Sequence, residues 1–209
     1  AIKPIAEIKV VLWSVYGTLL SIDSGRLLHQ HHQELRMQIA LQKTIEEFKM
    51  WQSMSRKPGQ PWVYLLQQYD GLIEDQRIAA TARKGDSREV DSAVLWARMI
   101  EKLQRNEYQW DEGFYGGLED VAVKVAYFFH AMLQGTEAFD GCAETLTRLQ
   151  QSGIRQGLLD DAQQFTLAQL VYQLRRQGAE GNLAAIFSPE LSSLSYQLEI
   201  CKPSPSLYQ

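Results

Sequence analysis

Ser14, Tyr16 and Thr18 alternate along the stretch Trp13-Ser14-Val15-Tyr16-Gly17-Thr18-Leu19, directly after the apolar run Val10-Val11-Leu12. A short valine-rich run that stops at a glycine reads as a buried strand entering a turn. The three hydroxyls are therefore expected at a strand's carboxyl end, where open α/β sheets hold their ligands. Asp160 and Asp161 follow a second strand-like segment, 154–159, and Lys202 stands in Cys201-Lys202-Pro203-Ser204-Pro205 with Ser195 upstream. A serine hydroxyl is a weak nucleophile at neutral pH and needs a positioned base, usually a histidine held by a third group. None of the four histidines, His29, His31, His32 and His130, adjoins these segments.

The elements that must position these residues are legible in the hydropathy pattern. Residues 8–13 are expected as a buried parallel strand. Residues 142–151 have helical spacing and stop at Gly153, and 154–159 follow as a strand, which is half of a βαβ unit. Further along, 165–174 read as a helix, 184–187 as a short strand and 191–196 as another. Asp161-Ala162-Gln163-Gln164 has the spacing of an N-cap and a residue that reaches back, so Asp161 is expected to start the helix after the second strand. This alternation points to a parallel sheet with helices on both faces.

Between the two strands, 21–136 is helical in period throughout. Leu118, Val121, Ala122, Val125, Phe129 and Met132 form one apolar stripe, and Leu27, Leu28, His31, Leu35 and Ile39 form another. Glycine and proline break the pattern at 57–61, 83–86 and 113–117, which predicts four or more helices. Large aromatic side chains dominate cores, so the many aromatics here are expected inside the helical body. The set from Tyr108 to Tyr115, flanked by glycines, is the one expected to face a pocket.

A net charge of −4 and a pI near 5.6 argue against a general nucleic-acid binder, which needs a basic stripe to neutralise phosphates. A small anionic molecule needs only local positive charge and fits this composition. No apolar run is long enough to span a membrane and the first residues lack a signal-peptide core, so the reading is a soluble, cytoplasmic protein. Cys142 and Cys201 are expected as buried thiols rather than a disulfide or zinc pair. His29, His31 and His32 lack the further ligands of a zinc site and are expected on a solvated helix face; Arg175-Arg176 and Arg83-Lys84 are expected as surface charges.

The segment Ser14-Val15-Tyr16-Gly17-Thr18-Leu19 resembles the first motif of the haloacid dehalogenase superfamily, aspartate-x-x-Gly-Thr-Leu, with Ser14 in the aspartate's place. The tyrosine before Gly-Thr is typical of the metal-independent 2-haloacid dehalogenases. In the second motif a strand ends in Ser or Thr, and here Asp160 holds that position. Ser195, a spacer and Lys202-Pro203-Ser204-Pro205 resemble the third, with Glu199 where a glycine is usual. The resemblance implies an α/β fold: a Rossmann-like parallel sheet core, 1–20 and 137–209, and an all-helical cap, 21–136, inserted after the first strand. Caps of this kind close over a site and exclude water.

By the same resemblance Ser14 (the nucleophile position), Tyr16, Asp160 and Lys202 are catalytic positions, and Gly17, Thr18, Asp161 and Ser195 are substrate-binding. Lys202 would offset negative charge on the nucleophile and the substrate. Active relatives hydrolyse small phosphate esters or 2-haloacids through an aspartyl-enzyme intermediate, which residue 14 cannot form here. A carboxylate at Asp160, about 4 Å from an anionic substrate group, would repel it by about 4 kcal/mol at an effective dielectric of 20. Serine and aspartate have in effect exchanged places, which leaves two readings: Asp160 acts as the anionic group with Ser14 hydrogen-bonding, or the ancestral site is lost. No cofactor is evident. The acidic pair that binds magnesium in family phosphatases is missing through Gln209, so Mg²⁺ is expected only if such a motif follows it. The functional alternatives are a haloacid dehalogenase-like hydrolase with an altered centre and a noncatalytic ligand- or partner-binding protein on the same fold.

Overall fold

In the computed structural model, which describes residues 7–54, 59–78, 86–179 and 181–208, the chain opens with β1 (Val10–Trp13) and β2 (Leu20–Ile22). A mainly helical stretch follows: α1 (Glu34–Glu47), α2 (Pro61–Ile78), β3 (Ser87–Arg88), α3 (Ser92–Gln104), α4 (Glu112–Tyr115) and α5 (Leu118–Leu133). Then come β4 (Thr136–Ala138), α6 (Cys142–Gln151), β5 (Arg155–Asp160), α7 (Thr166–Arg176), α8 (Leu183–Ile186), β6 (Ser193–Leu194), α9 (Ser195–Leu198) and β7 (Ile200–Cys201). The architecture is mixed α/β.

The centre of the sheet is β5, which pairs in parallel with β1 on one side and β6 on the other. The register sets Trp13 opposite Leu158 and Asp160 opposite Leu194, so the residues that follow β1 and those that end β5 leave the sheet at the same edge. Gly157 lies where Leu191 crosses β5, and a Cβ there would stand 2.7 Å from the Leu191 carbonyl carbon. Gln156, buried in β5, accepts from Trp13 Nε1 at 3.0 Å and donates to Leu146 O at 2.9 Å, so its burial leaves no amide group unpaired.

Two small antiparallel ribbons fix the rest. Pairing of β2 with β4 closes the chain where it leaves for α1 and returns from α5. Pairing of β3 with β7 sets Ser87 and Arg88 beside Ile200 and Cys201, immediately before Lys202. The apolar interior forms two clusters. One lies among α1, α2, α3 and α5, around Tyr69, Trp96 and Phe129, whose ring centroids are 5.0–5.7 Å apart. The other packs Val15, Leu20, Leu146, Leu158, Leu170 and Leu194 about the sheet. Phe165, just beyond β5, belongs to the helical cluster and so pins the two together.

Several expectations are corrected. The early helix begins at Glu34 rather than near Leu27, and it buries Met37, Ala40, Leu41, Thr44 and Ile45 while leaving Leu35 and Ile39 in solvent. Residues 27 and 28 lie in a loop held by Gln134, which accepts from Leu28 N at 2.7 Å and donates to Asp23 O and Arg26 O. Met132 is exposed, although Val121, Ala122, Val125 and Phe129 of its stripe are buried. Residues 184–187 are not a strand: Asn182 Oδ1 accepts from Ala184 N and caps the single turn α8. Within 191–196 only Ser193 and Leu194 are strand. Asp161 caps nothing, because α7 starts at Thr166, whose Oγ1 takes the Gln163 N–H at 2.8 Å. The break at 113–117 is present, with Gly116 at φ 82° between α4 and α5; residues 57–58 and 83–85 of the other two breaks, Arg83 and Lys84 among them, lie outside the described residues. Among the described residues no helix is long and apolar enough to cross a membrane.

Candidate functional site

Beyond β1 the chain must turn within four residues. Leu19 and Leu20 N–H both return to Val15 O, and Gly17 N–H reaches Leu20 O at 2.8 Å. Gly17 sits at φ 79°, a conformation that suits glycine. Its missing side chain also matters, since a Cβ would lie 2.6 Å from Gly25 O. This tight turn leaves the N–H groups of Val15 and Tyr16 side by side and facing the end of β5.

Asp160 Oδ2 accepts both of those N–H groups, each at 2.8 Å. Asp160 Oδ1 meets Lys202 Nζ at 2.7 Å. The same ammonium stands 3.4 Å from Ser14 Oγ, which otherwise reaches Leu159 O at 3.4 Å. Lys202 N–H donates to Asp161 Oδ1 at 2.7 Å, so the third segment is tied to both aspartates. The Asp160 side chain is 5% exposed and that of Lys202 30%. A carboxylate so deeply placed requires compensation, and three charge-assisted hydrogen bonds supply it. Burial pushes the Asp161 carboxyl above the ordinary carboxylate range, against the Lys202 N–H, which pulls it down.

Gly17, Thr18, Asp161, Ser14, Asp160 and Lys202 line one face of a cavity of about 810 Å³, within the usual range for small-molecule sites. Two of the candidate positions serve differently. Tyr16 gives the site its backbone N–H, whereas its hydroxyl runs to Thr166 Oγ1 at 2.9 Å and Gln169 Oε1 at 2.6 Å on α7. Burial pushes that phenol far above its ordinary value, so it remains a protonated donor. Ser195 is fully buried, and its Oγ accepts from Ala162 N and donates to Ala162 O, which fixes the 161–163 loop rather than facing the cavity.

The opposite face comes from the helical body, and no motif in the sequence marks it: Arg26, His29, Arg77, Arg88 and Glu89. His29 is on no helix. Its Nδ1 lies 3.1 Å from Ser92 Oγ and its Nε2 3.4 Å from Glu89 Oε1, and Ser92 Oγ also contacts His130 Nε2 at 2.8 Å. The expectation of a solvated histidine face therefore fails: His31 is buried and paired with Asp23, and it stacks on His32. The Tyr108 to Tyr115 set is also displaced from its expected role. Tyr108 donates to Phe48 O, Trp110 to Gly116 O, and none of that set lines the cavity.

Chemically the site holds charge, and among the described residues Ser14 Oγ meets Leu159 O and Lys202 Nζ rather than a histidine base. The Lys202 ammonium donates towards Asp160 and Ser14, while His29 is engaged with Ser92 and Glu89. Cys201 lines the cavity as a free thiol, half-buried rather than fully so, but burial pushes it up to about 11, which keeps it in the unreactive thiol form. Three of the acceptor directions of Asp160 are used by N–H groups and Lys202, which does not fit a six-oxygen magnesium site. Among the described residues no group of three or more His, Cys, Asp or Glu side chains is placed to hold a metal ion. No family model matches the sequence, and no curated protein matches it either, so the functional reading rests on the geometry of this site.

Proposed function

We propose that the chain is a haloacid dehalogenase-like protein, a Rossmann-like core under a helical cap, that binds a small anionic molecule and does not hydrolyse it through residue 14. The observation that carries this reading is the meeting of Ser14, Thr18, Asp160 and Lys202 in one cavity at the carboxyl ends of adjacent parallel strands. Those are the positions of the family's first three motifs, in the family's order. The β2–β4 ribbon supports the cap, because α1 to α5 lie between its two strands.

An anionic ligand is supported by the cavity's charge. Its wall carries Arg26, Arg77, Arg88 and Lys202 against Glu89, Asp160 and Asp161, with Arg88 also paired to Glu199 at 3.4 Å, so the cavity is locally near neutral in a chain of net −4 and sets two further arginines, Arg26 and Arg77, on its wall. Absence of turnover is supported by the two exchanged residues. Among the described residues Ser14 has no histidine base beside it, and Asp160 is a poor substitute nucleophile because both of its oxygens are already engaged by donors. Binding without hydrolysis is thus favoured over an active centre that uses Asp160.

The test restores the family's arrangement. In Ser14→Asp alone a second carboxylate would join Asp160 at one ammonium, so the informative variant is Ser14→Asp with Asp160→Ser. The native protein is expected to release no product from p-nitrophenyl phosphate with Mg²⁺ or from 2-chloropropionate. The double variant is expected to turn over one of them, and adding Lys202→Ala should abolish it. A folded double variant inert towards both substrates would overturn the family reading.

A further inference from the structure

Resting on the reading of the cavity as a site for a small anionic molecule, we propose that this molecule also carries an ammonium group, which Glu89 and Asp161 take between them. The ligand class is then a small zwitterion, a phosphate or carboxylate that bears a primary amine. Both carboxylates line the cavity, Glu89 from the helical body and Asp161 from just beyond β5. The side chain of Glu89 is 8% exposed. Its Oε1 makes the structural contacts, with Gln163 Nε2 at 3.1 Å and His29 Nε2 at 3.4 Å, while its buried Oε2 meets no donor among the described residues.

A buried acceptor without a donor costs more than the hydrogen bond it lacks, and the nearby cations are turned elsewhere. The Lys202 ammonium is spent on Asp160 Oδ1 at 2.7 Å. Arg88, the neighbour in sequence, reaches Glu199 Oε2 at 3.4 Å. Holding Gln163 and His29 needs only one oxygen from residue 89, which a glutamine would supply as well, so the second oxygen is left for what enters the cavity. Asp161 is built alike. Its Oδ1 accepts the Lys202 N–H at 2.7 Å, and burial, then the neighbouring Glu89, push its carboxyl above the ordinary range. Two carboxylates that repel each other are relieved by a cation beside both. An ammonium brings three donors and needs no six-oxygen shell of the kind magnesium demands, so it suits a pair of carboxylates where a metal ion does not. The charge of the whole cavity agrees: Arg26 and Arg77 stand on the wall with Glu89, and a near-neutral wall that carries both signs complements a ligand that carries both.

The test pairs two ligands that differ in the ammonium. By calorimetry at neutral pH the native protein is expected to bind phosphoethanolamine at least about tenfold more tightly than ethyl phosphate, the equivalent of one charge-assisted hydrogen bond. Glu89→Gln keeps an acceptor for Gln163 and His29, and in it the preference is expected to disappear. If Glu89→Gln does not fold, Asp161→Asn decides: its amide oxygen still accepts the Lys202 N–H, and the preference should weaken with the lost charge. Equal affinity of the native protein for the two phosphates overturns the proposal, as does a preference that the folded variant retains. Ethanolamine hydrochloride probes the ammonium site without the anion. In thermal melting against sodium chloride of equal ionic strength it is expected to stabilise the native protein and not Glu89→Gln. If neither phosphate binds, that stabilisation would keep the ammonium site and discard the anionic ligand, and its absence would overturn both.

Discussion

Tyr16 shows how one residue divides its roles between backbone and side chain. Its N–H helps to hold Asp160, and its hydroxyl serves Thr166 and Gln169 on α7. Tyr16→Phe therefore leaves the Gln169 acceptor without its donor in a buried setting, at a cost of about 1–3 kcal/mol. Melting is expected to fall by several degrees, and an unchanged melting temperature would show that the hydroxyl's bonds to α7 contribute nothing to the fold. Ser14, Asp160 and Asp161 were legible in the sequence because each lies directly at or after the end of a strand that the local pattern marks, whereas Lys202 was placed only by the likeness of its segment to a motif, since the two-residue β7 before it has no pattern of its own. His29, Arg26, Arg77 and Glu89 were not, since they reach the cavity only through the pairing of β3 with β7 and the loop held by Gln134. No spacing in the sequence encodes that approach. Ser195 misled for the opposite reason: its position fits a motif, yet its hydroxyl is spent on Ala162.

At the level of elements, the turn after β1 sets the direction of two N–H groups, and Gly17 sets the turn. Two separate penalties fall on Gly17→Ala. An L-residue at φ 79° costs about 1–2 kcal/mol, and the new Cβ would overlap Gly25 O at 2.6 Å. Gly25 is a built-in control, at φ 67° with nothing within 4 Å of the Cβ that an alanine would add. Urea denaturation is expected to show Gly17→Ala destabilised by at least about 2 kcal/mol and Gly25→Ala by about half as much; equal losses would mean that the Gly17–Gly25 contact is unimportant. The strand β1 and the helices α6 and α7 were readable because a valine-rich run, or ten residues of steady helical period, leaves little competition between states, and β5 because Gly153 ends α6 just before it; β1 is nevertheless an edge strand with Leu12 exposed, not the buried strand expected. Residues 184–187 were not, since four apolar residues suit a strand or a single turn equally well, and the Asn182 cap decided for the turn. The early helix was misplaced because Leu27 and Leu28 fit its spacing while being needed at the cavity wall.

The whole molecule is held together by a polar seam as well as by Phe165. Gln163, from the sheet side, accepts from Ser92 N at 2.7 Å and donates to Glu89 Oε1 and Val90 O, while Ser92 Oγ sits between His29 and His130. His130 is fully buried on α5, its ring 5.2 Å from that of Phe165. Burial, and then the neighbouring His29, push its imidazole well below the ordinary value. In the unfolded chain the same group titrates near 6.5, so below that pH the unfolded state binds a proton that the folded state refuses. The stability associated with a neutral His130 is therefore present in full above about pH 6.5 and is lost progressively as the pH falls below it. Between pH 7.5 and 5.5 this one group is expected to lower the unfolding free energy by about 1.4 kcal/mol, and His130→Gln, whatever its own stability, should flatten that part of the curve. Because the imidazole lies where the helical body meets the residues that follow β5, its protonation acts on the join that keeps Arg26, His29 and Arg77 opposite Asp160 and Lys202. Loss of the pH slope in His130→Gln would locate that sensitivity in the seam, and an unchanged slope would locate it elsewhere in the fold.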